Sequence, residues 1–306
     1  SLLYGCGKIM ESKKSIIASK LLYIVLCLSF LYFNLGLFGL CLANLISPFL
    51  GRFLSFHWFY TKDLQIKIKE ETVTSSEMKS IFSTIWFNTR KGMIGMIGAF
   101  FINKFGMFLS GLFLSLDVIA SYGLMVQLWG IICGISQNYF NTKEPQMVSY
   151  KIHGDNDKLI KLFSFSIISF WILTSLGFVC VALLGPQILQ VIKSNSTLPS
   201  LGIMGLYSIV ILLESNHSIC SSFIIVGNRV PPIAASVVPG FFIALLTYIF
   251  LKYTDWGIAG IIAAPGICQL AYNNWKWPKE ALKDLNISLI DFISEGYSQV
   301  KLNFKK

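Results

Sequence analysis

Residues 201–226 read LGIMGLYSIVILLESNHSICSSFIIV, with Glu214 the one formally charged residue in the stretch. As an α-helix this run is about 39 Å long at 1.5 Å per residue, more than the ~30 Å hydrocarbon core of a bilayer. It predicts a membrane-crossing helix. Working outward, seven further apolar runs lie near Ile16–Phe33, Leu35–Phe53, Gly92–Leu116, Val118–Phe140, Leu162–Leu184, Ile233–Leu251 and Gly257–Trp275. Only Asn34 separates the first two, and a polar residue midway along their combined length predicts a tight hairpin. Backbone polar groups have no water to bond within lipid, so runs this apolar fold as helices. Barrel strands would alternate polar and apolar residues over ~10-residue segments, and none do. The expected fold is all-α, a polytopic integral membrane bundle of about eight transmembrane helices.

Composition agrees. Apolar residues make up 54% of the chain and charged residues 13%, against roughly 25% charged in soluble domains. Mean hydropathy is +0.65. The seven cysteines (Cys6, Cys27, Cys41, Cys133, Cys180, Cys220, Cys268) sit almost entirely within the apolar runs. They form no CxxC pair and no His-adjacent cluster, so they read as small apolar filler, with neither a disulfide frame nor a metal site. The first run follows a basic segment but has seven more behind it, which reads as a first helix and not as a cleaved leader. The chain opens Ser1-Leu2-Leu3-Tyr4 without Met, and we expect either the C-terminal portion of a longer membrane protein or a truncated chain.

Positive charge is sorted to one side. Lys and Arg concentrate on cytoplasmic loops. With a cytoplasmic N-terminus, the segments Ser1–Lys20, Arg52–Lys91, Asn141–Lys161, the turn at Arg229 and everything after Trp275 hold 22 of the 25 basic residues. The opposite side holds only Lys193 and Lys252, while Lys104 falls inside a run. Topology and contact with anionic lipid account for the net charge of +10. That charge gives no support to nucleic-acid binding. The tail Pro278–Lys306 spaces Leu282, Leu285, Leu289, Phe292, Ile293 and Val300 near helical period among charges. It reads either as an amphipathic helix on the cytoplasmic membrane face or as a soluble helix docked on loops.

A charge at the bilayer centre costs about 3 kcal/mol on insertion scales, so charges retained there are functional candidates. Lys104 lies midway along the third run, and Arg90 stands at its mouth. On one straight helix their fourteen-residue separation leaves them about 40° apart at ~100° per residue, on a shared face that suits an anion. Gly92, Gly95 and Gly98 mark the opposite face, smooth enough for another helix. In the sixth run Glu214 stands with His217, Ser218, Ser221 and Tyr207 in a polar stripe. A Glu beside a His suits ion coupling, and pairing of Glu214 with Lys104 is the structural alternative. Further polar islands are Gln127, Gln137 and Asn138, and Gln269, Tyr272, Asn273 and Asn274. Of these, Gln127, Gln269 and Tyr272 are taken with Arg90 and Lys104 as substrate-binding candidates. Amides and aromatic rings handle sugars, though interhelical hydrogen bonds use them too. Trp58, Trp86, Trp256, Trp275 and Trp277 suit the interfacial aromatic belt. Pro239 and Pro265 stand where they kink the last two runs. Asn195-Ser196-Thr197 has the form of a glycosylation acceptor. No Walker A, HExxH or Gly-x-Ser-x-Gly pattern occurs, so nothing assembles a catalytic site and no cofactor is implied.

Three stretches resemble one family. They are IWFNTRKGMIGMIGAFFINKFGMFLSGLFLSLDVIASYGLMVQL (Ile85–Leu128), PQMVSYKIHGDNDKLIKLF (Pro145–Phe163) and WGIAGIIAAPGICQLAYNNWKWPKEAL (Trp256–Leu282). The chain resembles the polysaccharide-flippase branch of the multidrug/oligosaccharidyl-lipid/polysaccharide exporter superfamily, and within it the O-antigen flippases. Members have twelve helices in two six-helix lobes about a central cavity. The resemblance implies that this chain corresponds to helices five to twelve. Residues 1–80 would end the first lobe and lead into a cytoplasmic linker, 81–277 would form the second lobe, and 278–306 a cytoplasmic tail. The Pro145–Phe163 stretch would be the cytoplasmic loop between helices eight and nine. The implied substrate is an undecaprenyl-pyrophosphate-linked oligosaccharide, flipped across a bacterial inner membrane by alternating access. Membrane lipids and glycan polymerase machinery are the implied partners. Arg90 and Lys104 would then meet the pyrophosphate or acidic sugars. The departure is the absence of four helices. An O-antigen polymerase, a multidrug exporter of the same superfamily and a structural membrane subunit are the competing readings. Short external loops without arginine weigh against the polymerase, while Glu214 keeps the exporter in view.

Overall fold

The computed structural model describes residues 3, 8–61, 64–66, 74–227, 229 and 232–303. Ser1, Leu2, Tyr4, Cys6 and the basic residues Lys62, Lys67, Lys69, Lys305 and Lys306 lie outside them. Among the described residues the chain is 88% helical with no strand, an all-α bundle. Among these residues six helices are long and apolar enough to cross a membrane, or seven if the bent pair Gly92–Asn103 with Phe105–Phe113 is one span. The chain divides into two compact units, Ser1–Thr84 and Ile85–Lys306.

The first unit is built on a hairpin of α1 (Ile9–Tyr32) and α2 (Gly36–Phe59). Asn34 makes the turn that its position predicts. It adopts φ 57°, Gly36 follows at φ 50°, and the Leu35 N–H reaches the Phe30 carbonyl at 3.0 Å. Asn and Gly tolerate this left-handed backbone where other residues strain. The two helices meet along Gly39, Ala43, Ser47, Gly51 and Ser55, small residues at every fourth position of α2. Lipid offers no hydrophobic drive between helices, so close contact of small residues has to hold them together. A Cβ on Gly39 would sit 2.6 Å from that of Phe30. Ser19 Oγ donates to the Ser47 carbonyl at 2.7 Å, and Ser55 Oγ to Ser15 Oγ at 3.0 Å.

Helix α3 (Ser75–Asn103) starts on the carboxylate half of a capping box. Glu77 accepts from both the Thr74 backbone N–H (2.9 Å) and the Thr74 hydroxyl (2.7 Å). The third apolar run is not one straight helix. It breaks at Lys104, where α4 (Phe105–Phe113) departs at 41°. Asn103 Nδ2 donates back to the Ala99 carbonyl at 2.9 Å, the kind of side-chain bond to the preceding turn that bends helices.

Helices α5 (Leu116–His153) and α6 (Asn156–Val191) are 38 and 36 residues long. Each spans about 55 Å at 1.5 Å per residue and so outruns the bilayer. The expected loop around Asn141–Lys161 is therefore a helical hairpin. It turns at Gly154 (φ 73°) in a Schellman motif, with the Asp155 N–H on the Tyr150 carbonyl at 2.9 Å. Helix α7 (Leu201–Val226) coincides with the apolar run around Glu214, and α8 (Ala234–Tyr253) follows it.

The eighth run is a correction. Only Ile258–Ala271 forms α9, 14 residues or about 21 Å, too short to cross the membrane alone. The helix breaks at Tyr272 (φ −143°, ψ −64°), and α10 (Asn273–Leu285) and α11 (Leu289–Asn303) carry the tail. Trp277, Ala281, Leu285 and Phe292 pack into one core cluster with Phe140, Phe163 and Phe223. The tail thus docks on α6 and α7. A second cluster joins Tyr122, Trp129, Phe178, Met204 and Ile261. Asp284 of α10 pairs with both Lys151 of α5 and Arg229 of the α7–α8 connection.

Candidate functional site

Between the two clusters of the second unit lies a cavity of about 950 Å³, at the upper end of the ~300–1,000 Å³ typical of ligand sites. Helix α7 explains its position. Met204 at one end belongs to one cluster and Phe223 at the other end to the second. The middle of the helix is left to Glu214, His217, Ser218 and Ser221, which line the cavity. Their i, i+3, i+4, i+7 spacing puts all four on one face. Tyr207, the fifth member of the expected stripe, instead packs by Tyr122 and Trp129 at ring distances of 6.3 and 6.4 Å.

The opposite wall comes from α8, the end of α9 and the start of α10. Pro239 has no N–H to offer the Ala235 carbonyl four residues before it, the bond a regular helix would make. Asn273 fills that role: its Nδ2 donates to Ala235 O at 2.9 Å and to Gln269 Oε1 at 2.6 Å. Its Oδ1 accepts from Trp277 Nε1 at 2.8 Å. Asn273 is 3% exposed, so this one amide satisfies a proline-broken helix, the end of α9 and the first turn of α10. One residue on, Asn274 Oδ1 accepts from His217 Nδ1 at 2.7 Å. That bond leaves the Nε2 lone pair of the neutral ring available.

The residues expected to form the site divide. Glu214, His217 and Gln269 line the cavity; Arg90, Lys104, Gln127 and Tyr272 do not. Arg90, Lys104 and Gln127 are exposed, and Tyr272 sits at the helix break. Putting Arg90 and Lys104 on one face assumed a straight helix, and the 41° bend falls at Lys104 itself. Gly92 and Gly95, on the glycine side of α3, line the cavity, while of the three glycines Gly98 makes the close helix contact. A Cβ there would lie 2.7 Å from the Ser236 carbonyl carbon, and one on Gly240 2.8 Å from Gly98 O. Among the described residues Glu214 forms no ion pair, so the alternative pairing with Lys104 is not made.

Sequence reading placed Trp277 in the interfacial belt. It is 7% exposed, lines the cavity and bonds Asn273. Trp86, Trp256 and Trp275 are about half exposed. Gln137, not Gln127, is the amide that α5 turns to the cavity.

No family model matches this chain, and no curated protein or solved structure matches it. The fold and the apolar helices define a multi-pass α-helical membrane protein. Its second unit carries a cavity lined by one carboxylate, one imidazole, amides and hydroxyls.

Proposed function

We propose that the protein is a transporter that passes the glycan head of a lipid-linked oligosaccharide through this cavity by alternating access. The membrane is a bacterial inner membrane, and the C-terminus is cytoplasmic. One observation carries the reading. A cavity of about 950 Å³, lined among others by Gln137, Ser218, Ser221, Gln269 and Asn273, lies in a bundle whose outside is apolar. Hydroxyl-rich ligands need donors and acceptors of this type, and inert helix packing does not need the space. The broken helix α9–α10 supports the reading, because discontinuous helices line the sites of many transporters. The resemblance to O-antigen flippases points to undecaprenyl pyrophosphate as the lipid. Arg90 and Lys104 are then cations for the pyrophosphate outside the cavity.

Deleting the native gene and resolving lipid-linked from surface glycans tests this. Single repeat units accumulating on the cytoplasmic leaflet are the expected result. Surface lipid capped with just one repeat identifies a polymerase instead. A second reading, a multidrug exporter, draws on Glu214, the one acid lining the cavity among the described residues. Intact glycans with raised sensitivity to cationic drugs establish that reading and overturn ours.

A further inference from the structure

The charge of the cavity selects among glycans. Among the residues whose side chains are described, Glu214 is its one acidic lining residue and no Lys or Arg lines it. The nearby cations are committed elsewhere, Lys151 and Arg229 to Asp284 and Lys276 to Glu280 at 3.0 Å. Among the described residues the side chains of Glu214, Gln137, Ser218 and Ser221 take part in none of the protein's side-chain hydrogen bonds. They are thus free for a ligand. An ionised carboxylate held away from water is costly without a cation. An ammonium group supplies both the charge and three donors, in charge-assisted bonds about twice as strong as neutral ones. A carboxylated or phosphorylated sugar would place like charge against Glu214.

Resting on the glycan-transport reading above, we infer that the substrate class is an amino sugar. Its protonated amine is set against Glu214, and its hydroxyls meet Gln137, Ser218, Ser221 and His217 Nε2. The pyrophosphate of the carrier lipid stays outside the cavity.

The test measures binding of two disaccharides to the full chain in nanodiscs: chitobiose with both amines free, and its di-N-acetyl form. The pH is about 7, still below the ~7.7–8.0 where free α-amines lose their proton. Chitobiose is expected to bind at least tenfold more tightly. Glu214→Gln should bring the two within twofold, while Gln137→Ala weakens both alike. Equal affinities in the wild type, or a preference that survives Glu214→Gln, overturn this inference and leave glycan transport standing. If neither sugar binds, the glycan reading falls and the inference with it. Should Glu214→Gln fail to fold, Glu214→Asp takes its place. That variant keeps the charge and must keep the preference.

Discussion

Asn273 donates to the carbonyl of Ala235 at 2.9 Å, the carbonyl that Pro239 cannot serve. The bond joins two irregularities, a proline inside α8 and a break between α9 and α10. Each would strand a polar group in lipid, and each is repaired by the other. Removing the amide leaves the Ala235 carbonyl and the Trp277 N–H unsatisfied, at ~1–3 kcal/mol per buried group. Asn273→Ala should therefore destabilise the protein by about 2–6 kcal/mol in thermal unfolding in detergent. Pro239→Ala restores the backbone N–H. In that background the cost of Asn273→Ala should fall by about 1 kcal/mol, one hydrogen bond's worth. Strict additivity of the two substitutions would show that the bond carries no such role.

The same logic of close backbone contact applies to α3. Gly98 faces the backbone of Ser236, and a Cβ has no flexible side chain to displace there. Gly92, four ångströms or more from any neighbour a Cβ would meet, faces the cavity. Gly98→Ala is expected to cost about 1–3 kcal/mol, the range for overpacking, and Gly92→Ala to leave the melting temperature unchanged. Equal melting temperatures for the two variants would dissolve the proposed α3–α8 contact.

How far the sequence spoke depended on whether a feature is local to one helix. The bounds of α7 and the shared face of Glu214, His217, Ser218 and Ser221 follow from one segment's length and period. So does the Asn34 turn. The choice of Gln137 over Gln127 does not, because both faces of a lipid-embedded helix are apolar and no hydrophobic period marks the inside. The misplacing of Lys104 came from extrapolating a straight axis across Asn103, whose amide bends it. One signal lay in plain view and went unread. Gly39, Ala43, Ser47, Gly51 and Ser55 repeat every four residues, and that stripe is the α1–α2 interface.

Asp284 is one carboxylate shared by two cations, with 16% of its side chain exposed against 25% for Lys151 and 52% for Arg229. Exposed ion pairs are each worth ~0–1 kcal/mol, and the shared acid makes the two non-independent. Asp284→Asn should cost more than Lys151→Met or Arg229→Met alone. Once Asp284 is Asn, the other two substitutions should have almost no further effect. A double-mutant cycle on unfolding midpoints measures this, and full additivity would separate the two pairs.

At the start of α3 the Thr74 hydroxyl, then the Thr74 backbone N–H, hold the Glu77 carboxyl below its usual range. A lowered folded value means that the ionised form stabilises the fold. The contribution is complete above the ordinary Glu value of 4.5 and is lost as pH falls through the lower folded one. Hydrogen-exchange protection of the first turn of α3, relative to Glu77→Gln, should be higher at neutral pH and equal in acid. A gap that persists in acid would show that the carboxylate's charge is not what caps the helix.

The cavity itself makes a prediction that does not depend on substrate. Ser218 and Gln137 line it, whereas Gln127 lies on the outside of α5 within the same membrane span. A thiolate, not a thiol, reacts with methanethiosulfonates, and thiols ionise poorly in apolar surroundings. In a cysteine-free background, Ser218→Cys and Gln137→Cys should react with a small charged methanethiosulfonate at least tenfold faster than Gln127→Cys. A ligand that fills the cavity should slow the first two and leave the third untouched. If Gln127→Cys reacted as fast as the others, water would reach the outer face of α5 as readily as the cavity. The polar lining of α7 would then not be the route through the bundle.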